Sequence, residues 1–220
     1  MIKKIIVLTF FITSLNAIIN NQDTKNNEDL IEVEKTINVY EKLIKDDAKS
    51  MFWLASRYLD GKTIKRDISK AIILLKKASA LNHNKSTYNL GKIYLSKKTI
   101  YHDLDEAYKL FFKLSNQGYA PAQNMIGKFL VKGVVMNKDY KMAVRYFEKA
   151  SKQDYIDAQC NLSFMYASGK GVFPNFGRAH QFAKKGYNQG NKRCIKVWKE
   201  YNLKKYPEDK GWKFKFYNKP

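Results

Sequence analysis

A 36-residue internal repeat is the feature of this 220-residue sequence that most restricts how the chain folds. Four consecutive units align without a gap when the sequence is shifted against itself by 36 positions. A unit of this length cannot bury its apolar side chains alone, so the repeat predicts units that stack on their neighbours. The recurring columns are Ala71, Ala107, Ala143 and Ala179; Asp67, Asp103, Asp139 and Asn175; Leu54, Leu90, Ile126 and Leu162; and the small residues Ala55, Gly91, Gly127 and Ser163.

Each unit is predicted to be a pair of helices, A and B. Leu54, Ala55 and Tyr58 lie on one side of helix A, where the small residue lets another helix approach closely. The Asp or Asn column is placed to cap the N-terminus of helix B. Lys97 takes the position of the helix-ending glycine in the second unit, which predicts a looser turn there. In the other units that glycine is Gly61, Gly133 and Gly169.

The repeats, over residues 50–201, are flanked by segments of different character. Apolar residues at helical spacing predict an N-terminal capping helix over 29–49. A fifth A helix, from Cys194 up to Pro207 and without a helix B, is predicted to cap the other end. The tail, residues 202–220, is basic and aromatic. Its aromatic residues are interpreted as a strap packed on the last helix, and an exposed aromatic stripe is the alternative.

The N-terminus has the pattern of an export signal. Lys3 and Lys4 precede an apolar run over 5–15 that is too short to span a bilayer, and Ala17 offers a small residue for cleavage. This predicts a signal peptide over 1–17, a flexible leader over 18–28, and a periplasmic or secreted protein without a transmembrane segment in the mature chain. An uncleaved N-terminal anchor is the alternative.

The columns resemble the Sel-one-like repeat family, relatives of the tetratricopeptide repeat. That resemblance implies an all-α fold: a right-handed α-α superhelix, or solenoid, of about four helix hairpins with capping helices at both ends and a concave surface lined mainly by A helices. The resemblance also implies that the protein is a non-catalytic adaptor, because members of the family generally act as adaptors. Many members are exported bacterial proteins engaged in envelope or host interactions. The fourth unit matches the family pattern at Ala158, Leu162, Ser163, Tyr166, Gly169, Gly171, Val172, Asn175, Ala179 and Phe182.

No motif in the sequence predicts catalysis, a cofactor or a metal site. His83, His102 and His180 lie at unrelated positions of the repeat, without cysteine or carboxylate at ligand spacing. Phosphate-binding and nucleophile-elbow motifs are absent, as are S-x-x-K and K-T-G. The sequence therefore predicts no enzyme, and a cell-wall-related enzyme is the weakest of three hypotheses.

The two cysteines, Cys160 and Cys194, are separated by 34 residues, close to the repeat length. They are therefore expected at similar heights on neighbouring A helices, and export would place them in an oxidising compartment. An inter-repeat disulfide is one prediction. Two buried free thiols remain the alternative, because the two side chains can point apart.

Two columns of helix A are predicted to face away from the buried leucine column and to bind a protein or peptide partner. Asparagine amides can bond an extended peptide backbone, and lysines make the face positive. A plain solvated helix face is the alternative. The candidate residues are Trp53, Asn89, Lys92, Met125, Lys128, Asn161 and Phe164.

The net charge of +21 supports a second hypothesis, electrostatic binding of an anionic polymer or envelope surface. Only five of the 41 basic residues are arginine, the residue that reads bases and phosphates by paired hydrogen bonds. Specific nucleic-acid binding is therefore not predicted. A lysine-rich surface inherited from an AT-rich genome is the alternative explanation of the charge.

Overall fold

The computed structural model describes residues 47–62, 64–209 and 211, and five residues before them. The predicted signal peptide and leader lie outside the described residues, as do most of the predicted N-terminal capping helix and residues 212–220 of the tail. The earlier residues are Lys35, Ile37, Val39 and Tyr40, which are helical, and Ile44.

All regular structure in the described residues is helical, as the repeat pattern predicts. The odd-numbered helices are the predicted A helices, and the even-numbered helices are the B helices. None of the described helices is long and apolar enough to cross a bilayer. The helices are α1 (Ala48–Asp60), α2 (Ile68–Ala80), α3 (Asn84–Leu95), α4 (Leu104–Asn116), α5 (Ala120–Lys132), α6 (Tyr140–Ser151), α7 (Ile156–Ser168), α8 (Phe176–Asn188) and α9 (Lys192–Glu200), followed by a 3-10 turn, Leu203–Lys205.

The chain forms two compact units, and the division falls within α3, after Leu90. In the first unit α1 packs on α2, burying Leu54 and Ala55 of the repeat columns with Ala71 and Leu75. In the second unit α5 packs on α6 and α7 packs on α8. The B helices α4, α6 and α8 also contact the next A helix. Burial of these apolar faces is what holds each hairpin to its neighbour.

The small-residue column of helix A is required by aromatic side chains on helix B. A Cβ atom at Gly127 would lie 2.5 Å from Cε1 of Phe147, and one at Gly91 would lie 2.9 Å from Cζ of Phe111. Both phenylalanines are almost fully buried. Ser163 is tolerated in this column because its hydroxyl donates to the carbonyl of Ala179 at 2.7 Å. The predicted close approach of the helices is confirmed.

The Asp and Asn column caps every B helix, as predicted. Each side chain accepts a hydrogen bond from the backbone N–H three residues later. The distances from the side-chain oxygen are 2.9 Å for Asp67, 2.9 Å for Asp103, 2.8 Å for Asp139 and 2.9 Å for Asn175.

The same column closes the loop between helices A and B. Its backbone N–H donates to the carbonyl of the Tyr58 column at 3.1, 2.8, 3.1 and 2.9 Å in the four units. The bond from Asp103 to Tyr94 is present in the loop that contains Lys97 as well. Helix α3 ends at Leu95, one repeat position earlier than the other three A helices, so the turn in this unit differs from theirs.

The C-terminal cap differs from its predicted bounds. Helix α9 begins two residues before Cys194, because Asn191 caps it, and it ends at Glu200, well before Pro207. Asn202 has a left-handed φ of 49°, which ends the helical course and lets Leu203 bury completely.

The described part of the tail packs on α8 as well as on α9. Tyr206 stacks on Phe176 with ring centroids 4.6 Å apart, and the Asp209 carboxylate accepts from Arg178 Nε at 2.8 Å. Glu208 pairs with Lys184, also on α8. The strap interpretation concerns Trp212, Phe214 and Phe216, which lie outside the described residues, and it stays a prediction.

Candidate binding site on the A helices

Two of the predicted partner-binding residues, Trp53 and Asn89, lie in the first unit. Both are half-buried. The Trp53 ring meets Tyr40 edge to face at 6.1 Å, and the Arg57 guanidinium lies over it at 5.5 Å from the ring centroid. Trp53 therefore packs within its own unit rather than presenting an open aromatic surface.

The other five lie in the second unit and differ in exposure. Lys92 is exposed, and Lys128 and Phe164 are half-buried. Met125 and Asn161 are only 7% and 2% exposed, so the expected outward-facing surface is wrong for these two. The reason is that side chains of successive A helices meet there, with Asn161 Nδ2 donating to Asn124 Oδ1 at 2.6 Å.

A group of polar and charged residues, here called the A-helix cluster, surrounds this contact. It consists of Asn124 and Lys128 on α5, Asp157 and Asn161 on α7, and Arg193 at the start of α9. Each pair on α5 and α7 is four residues apart and therefore lies on one helix face. The sequence analysis did not predict Asn124, Asp157 or Arg193 as members of the site. Asn124 and Asp157 could have been found, because each lies four residues before a predicted site residue, Lys128 and Asn161 respectively.

Neither cation of the A-helix cluster, Lys128 or Arg193, makes a salt bridge with a described residue. The one hydrogen-bond partner of Lys128 Nζ among the described residues is Met125 Sδ, at 3.7 Å. No described carboxylate lies within 4.0 Å of either cation. Burial lowers the pKa of Lys128, the positive charge of Arg193 lowers it further, and Asp157 opposes the shift. The side chain of Arg193 is exposed, yet partial desolvation by the neighbouring protein atoms lowers its pKa as well, and Asp157 opposes this shift.

Asn161 also leaves one polar atom without a partner. Its Nδ2 bonds to Asn124, while its Oδ1 is buried and has no hydrogen-bond partner among the described residues. Buried polar atoms in folded proteins are nearly always paired, because an unpaired one costs its desolvation energy. The A-helix cluster therefore includes a buried acceptor that no described residue satisfies.

A disulfide between Cys160 and Cys194 joins α7 to α9, with Cα atoms 4.7 Å apart. Cys160 precedes Asn161 in the chain, and Cys194 follows Arg193. Of the two possibilities left open by the sequence, the structure contains the bridged one. The bridge fixes the spacing of the two helices that carry these members of the A-helix cluster.

The histidines have local structural partners. Nδ1 of His83 lies 2.8 Å from Ser86 Oγ, that of His102 lies 3.1 Å from the Tyr94 carbonyl, and that of His180 lies 2.9 Å from the Leu203 carbonyl. In the described part of the chain no three His, Cys, Asp or Glu side chains are grouped to hold a metal ion.

Tandem helix hairpins of equal length define a helical-repeat protein. The chain matches the Sel1 repeat over residues 48–83, 84–119, 120–155 and 156–191, and it belongs to the Sel1 repeat family. It is thus an all-α solenoid of helix hairpins, as the sequence predicts. Sel1 repeat proteins are in general protein–protein interaction modules and are typically non-catalytic.

Solved structures support the same fold. A Sel1 repeat protein from Oxalobacter formigenes is 23% identical with a TM-score of 0.68, over 84% of this chain and 79% of that one. A protective antigen of uropathogenic Escherichia coli strains, displaying an SLR fold, is 18% identical with a TM-score of 0.63, over 86% of this chain and 48% of its own. An immunity protein from Pseudomonas aeruginosa is 20% identical with a TM-score of 0.53, covering 80% and 69%. No curated protein matches significantly.

Proposed function

We propose that this protein is an exported, non-catalytic adaptor that binds a protein or peptide partner through the A helices of its second unit. The observation that carries the proposal is the A-helix cluster, in which, among the described residues, Lys128 and Arg193 make no salt bridge and the buried Oδ1 of Asn161 has no hydrogen-bond partner. Groups left unsatisfied in the folded chain are the ones a partner can satisfy.

Two observations support export to the envelope or the outside of a bacterial cell. The first is the apolar run over 5–15 behind Lys3 and Lys4. The second is the disulfide between Cys160 and Cys194, because structural disulfides form in oxidising compartments. Mass spectrometry of the protein recovered from fractionated cells tests this proposal. A periplasmic or secreted chain that starts after Ala17 is expected, and an intact N-terminus in the cytoplasm contradicts export.

Site-specific photo-crosslinking tests the binding surface. Benzoylphenylalanine replaces Phe164 on the A helix α7, and in a matched control it replaces Phe112, which is 39% exposed on the B helix α4. The probe at position 164 is expected to capture one partner from envelope extract, at low and at high salt. Equal capture by both probes contradicts binding through the A helices. Substituting Lys92 and Lys128 with Glu together is expected to abolish the capture.

The charge of +21 favours a second function, electrostatic binding of an anionic polymer or envelope surface. Such binding depends on many charges and weakens steeply with salt. Capture of many acidic species, lost together at high salt and indifferent to the probe position, would identify this function instead of an adaptor. Retention of a single partner at high salt would exclude it.

A further inference from the structure

The loops that join A helices to B helices in the second unit expose large apolar side chains. These loops, called here the A–B loops, are residues 96–103, 133–139 and 169–175. One such residue lies in each loop: Ile100 is 93% exposed, Val135 is 42% exposed and Phe173 is 94% exposed. A single exposed apolar residue needs no explanation, whereas a group of them on one surface marks a site of interaction.

The three A–B loops lie along one edge of the second unit. Each repeat is the same helix hairpin stacked on the next, so equivalent loops follow one another at the same end of their helices. The second and third loops approach each other directly, because a Cβ atom at Gly171 would collide with the backbone carbonyl of Tyr140, the residue after the second loop. Gly171 also lines one cleft of about 650 Å³ together with Met136 and Lys141.

The opposite edge of the same unit has a different character. Its loops join B helices to the next A helix and comprise residues 117–119, 152–155 and 189–191. Their two tyrosines are half-buried, and the residues exposed at the equivalent position of each loop are Gln117, Gln153 and Gln189. Exposed apolar side chains are therefore a property of the A–B loops rather than of the loops of this unit in general.

Val135 is held in a backbone conformation that favours glycine. Its φ is 69°, and the equivalent position in the next repeat is Gly171, with a φ of 76°. A β-branched residue at positive φ raises the free energy of the folded state. Because much of the Val135 side chain is exposed, packing compensates this cost only in part. Stability therefore does not account for a valine at this position.

Each A–B loop also exposes a lysine close to its apolar residue, namely Lys98, Lys138 and Lys170. Apolar side chains beside lysines form the combination that binds an anionic bilayer. The apolar groups enter the interface, while the ammonium groups stay at the level of the lipid phosphates.

The charge of the A–B loops suits such a surface. Together they contain four lysines and two carboxylates, and both carboxylates, Asp103 and Asp139, cap B helices. The helix turns beside the loops leave this positive balance unchanged, since they contribute charges of both signs from Lys132, Lys141, Asp105 and Glu106.

We propose that the A–B loops of the second unit dock the protein on an anionic lipid bilayer, with Ile100, Val135 and Phe173 entering the interface and the neighbouring lysines binding lipid phosphates. A fluid bilayer accommodates protruding side chains without the complementary pocket that a protein partner has to provide. This surface is separate from the A-helix cluster, so the proposal goes beyond the adaptor function and does not depend on it.

Co-sedimentation with lipid vesicles is the first experiment. The protein recovered from cells is mixed with vesicles of phosphatidylcholine and phosphatidylglycerol, or of phosphatidylcholine alone. Binding to the anionic vesicles is expected to be about tenfold tighter or more, because lysines near an anionic surface add to the affinity. Equal binding to both kinds of vesicle, or binding to neither, overturns the proposal.

Apolar variants locate the contact. Ile100→Ser combined with Phe173→Ser is expected to weaken binding to anionic vesicles about tenfold or more, because two large apolar side chains no longer leave water. The matched control, Leu81→Ser combined with Phe112→Ser, removes two exposed apolar residues that lie outside the A–B loops. Equal loss in the two variants contradicts docking through the A–B loops. The apolar N-terminal run is identical in all variants, so it does not affect the comparison.

Val135→Gly separates binding from stability. Relief of the positive φ is expected to raise the melting temperature, while loss of the side chain lowers vesicle affinity several-fold. A weaker binder that is more stable does not owe its loss to unfolding. Unchanged affinity would contradict the role of Val135 at the interface.

Lysine variants distinguish this docking from a general effect of net charge. Lys98→Gln combined with Lys170→Gln is expected to weaken vesicle binding several-fold. The control, Lys113→Gln combined with Lys149→Gln, removes the same charge from the last turns of the B helices α4 and α6 and is expected to bind almost as the wild type does. If the two pairs lose affinity equally, binding is purely electrostatic and the proposal fails.

Insertion is measured by the fluorescence of Phe173→Trp in vesicles that contain brominated lipids. Quenching beyond that of the wild type is expected for this variant but not for the control Gln117→Trp, which lies on the opposite edge. The same quenching in both variants would mean that the A–B loops do not enter the bilayer.

A second copy of the chain is the other occupant that the experiments distinguish. Light scattering without lipid is expected to give the same mass for the wild type and for Ile100→Ser combined with Phe173→Ser. A dimer that this variant converts to a monomer would assign the loops to self-association and overturn the bilayer proposal. Photo-crosslinking at position 164 decides the adaptor function separately, since a partner captured there is independent of vesicle binding.

Discussion

Two regions of the second unit differ in how completely their side chains are paired: the interior between the A and B helices, and the A-helix cluster. In the interior, the ring of Phe147 fills the space left by Gly127, and the hydroxyl of Ser163 has its acceptor. In the A-helix cluster, no carboxylate of the described residues lies within salt-bridge distance of Lys128, and none of their groups bonds to Asn161 Oδ1. Both regions include residues of α5 and α7, so the helix on which a residue lies does not explain the difference.

This contrast separates residues that stabilise the fold from residues that reduce its stability. Complementary packing lowers the free energy of the folded state, whereas unpaired charges and polar atoms raise it. Natural proteins keep such unfavourable groups where binding requires them, because improving them for stability removes function. A partner of the kind proposed above would pair these groups of the A-helix cluster.

The largest expected effect lies in the interior. Phe147→Ala should lower the free energy of unfolding by about 3–5 kcal/mol, since it leaves a cavity against Gly127. Urea unfolding followed by circular dichroism measures the change. Phe173→Ala is the control, as Phe173 is 94% exposed and its loss should change little. Similar losses in the two variants would contradict the packing described for Gly127.

Removing the disulfide should come next in size. Replacing Cys160 and Cys194 with Ala together should cost about 2–4 kcal/mol, because the bridge restricts the unfolded chain over a 34-residue separation. Thermal unfolding with and without reductant measures it. Reductant should lower the melting temperature of the wild type to near that of the variant. No effect of reductant on the wild type would mean that the two thiols are not bridged.

A smaller effect, of opposite sign, is expected at Glu148 on α6, a charged residue in the interior. Burial raises the pKa of its carboxyl above the usual value, although Lys152, Arg145 and Arg178 oppose the shift. The folded state then binds a proton more tightly than the unfolded state, so stability from this group is present at acidic pH and is lost as pH rises through the raised pKa.

Glu148→Gln should therefore stabilise the protein by about 1 kcal/mol at neutral pH and have little effect at pH values below the ordinary pKa of Glu. Chemical unfolding at two pH values tests this. The control is Glu106→Gln on α4, whose carboxylate makes a surface pair with Lys109. A pH-independent gain at position 148 would show that charge burial is not its cause.

The sequence alone determined the repeat, the order of the helices and the N-cap residues of the B helices. Asp103 could be assigned as a cap from its column because an N-cap depends on a few neighbouring residues. Gly127 could be assigned to a close contact because each repeat places the same column against the next helix. These features depend on residues close in sequence or on the regular stacking of identical units.

Only the tertiary structure decided the A-helix cluster and the bounds of the last helix. Asn161 was expected outside because a helix wheel describes one helix, while its burial depends on Asn124, 37 residues away. Arg193 lies on α9, which contacts α7, and this contact depends on how the helices pack. The pairing of Cys160 with Cys194 likewise depended on where two side chains point. Such distances between helices depend on packing over the whole unit, which no local pattern records.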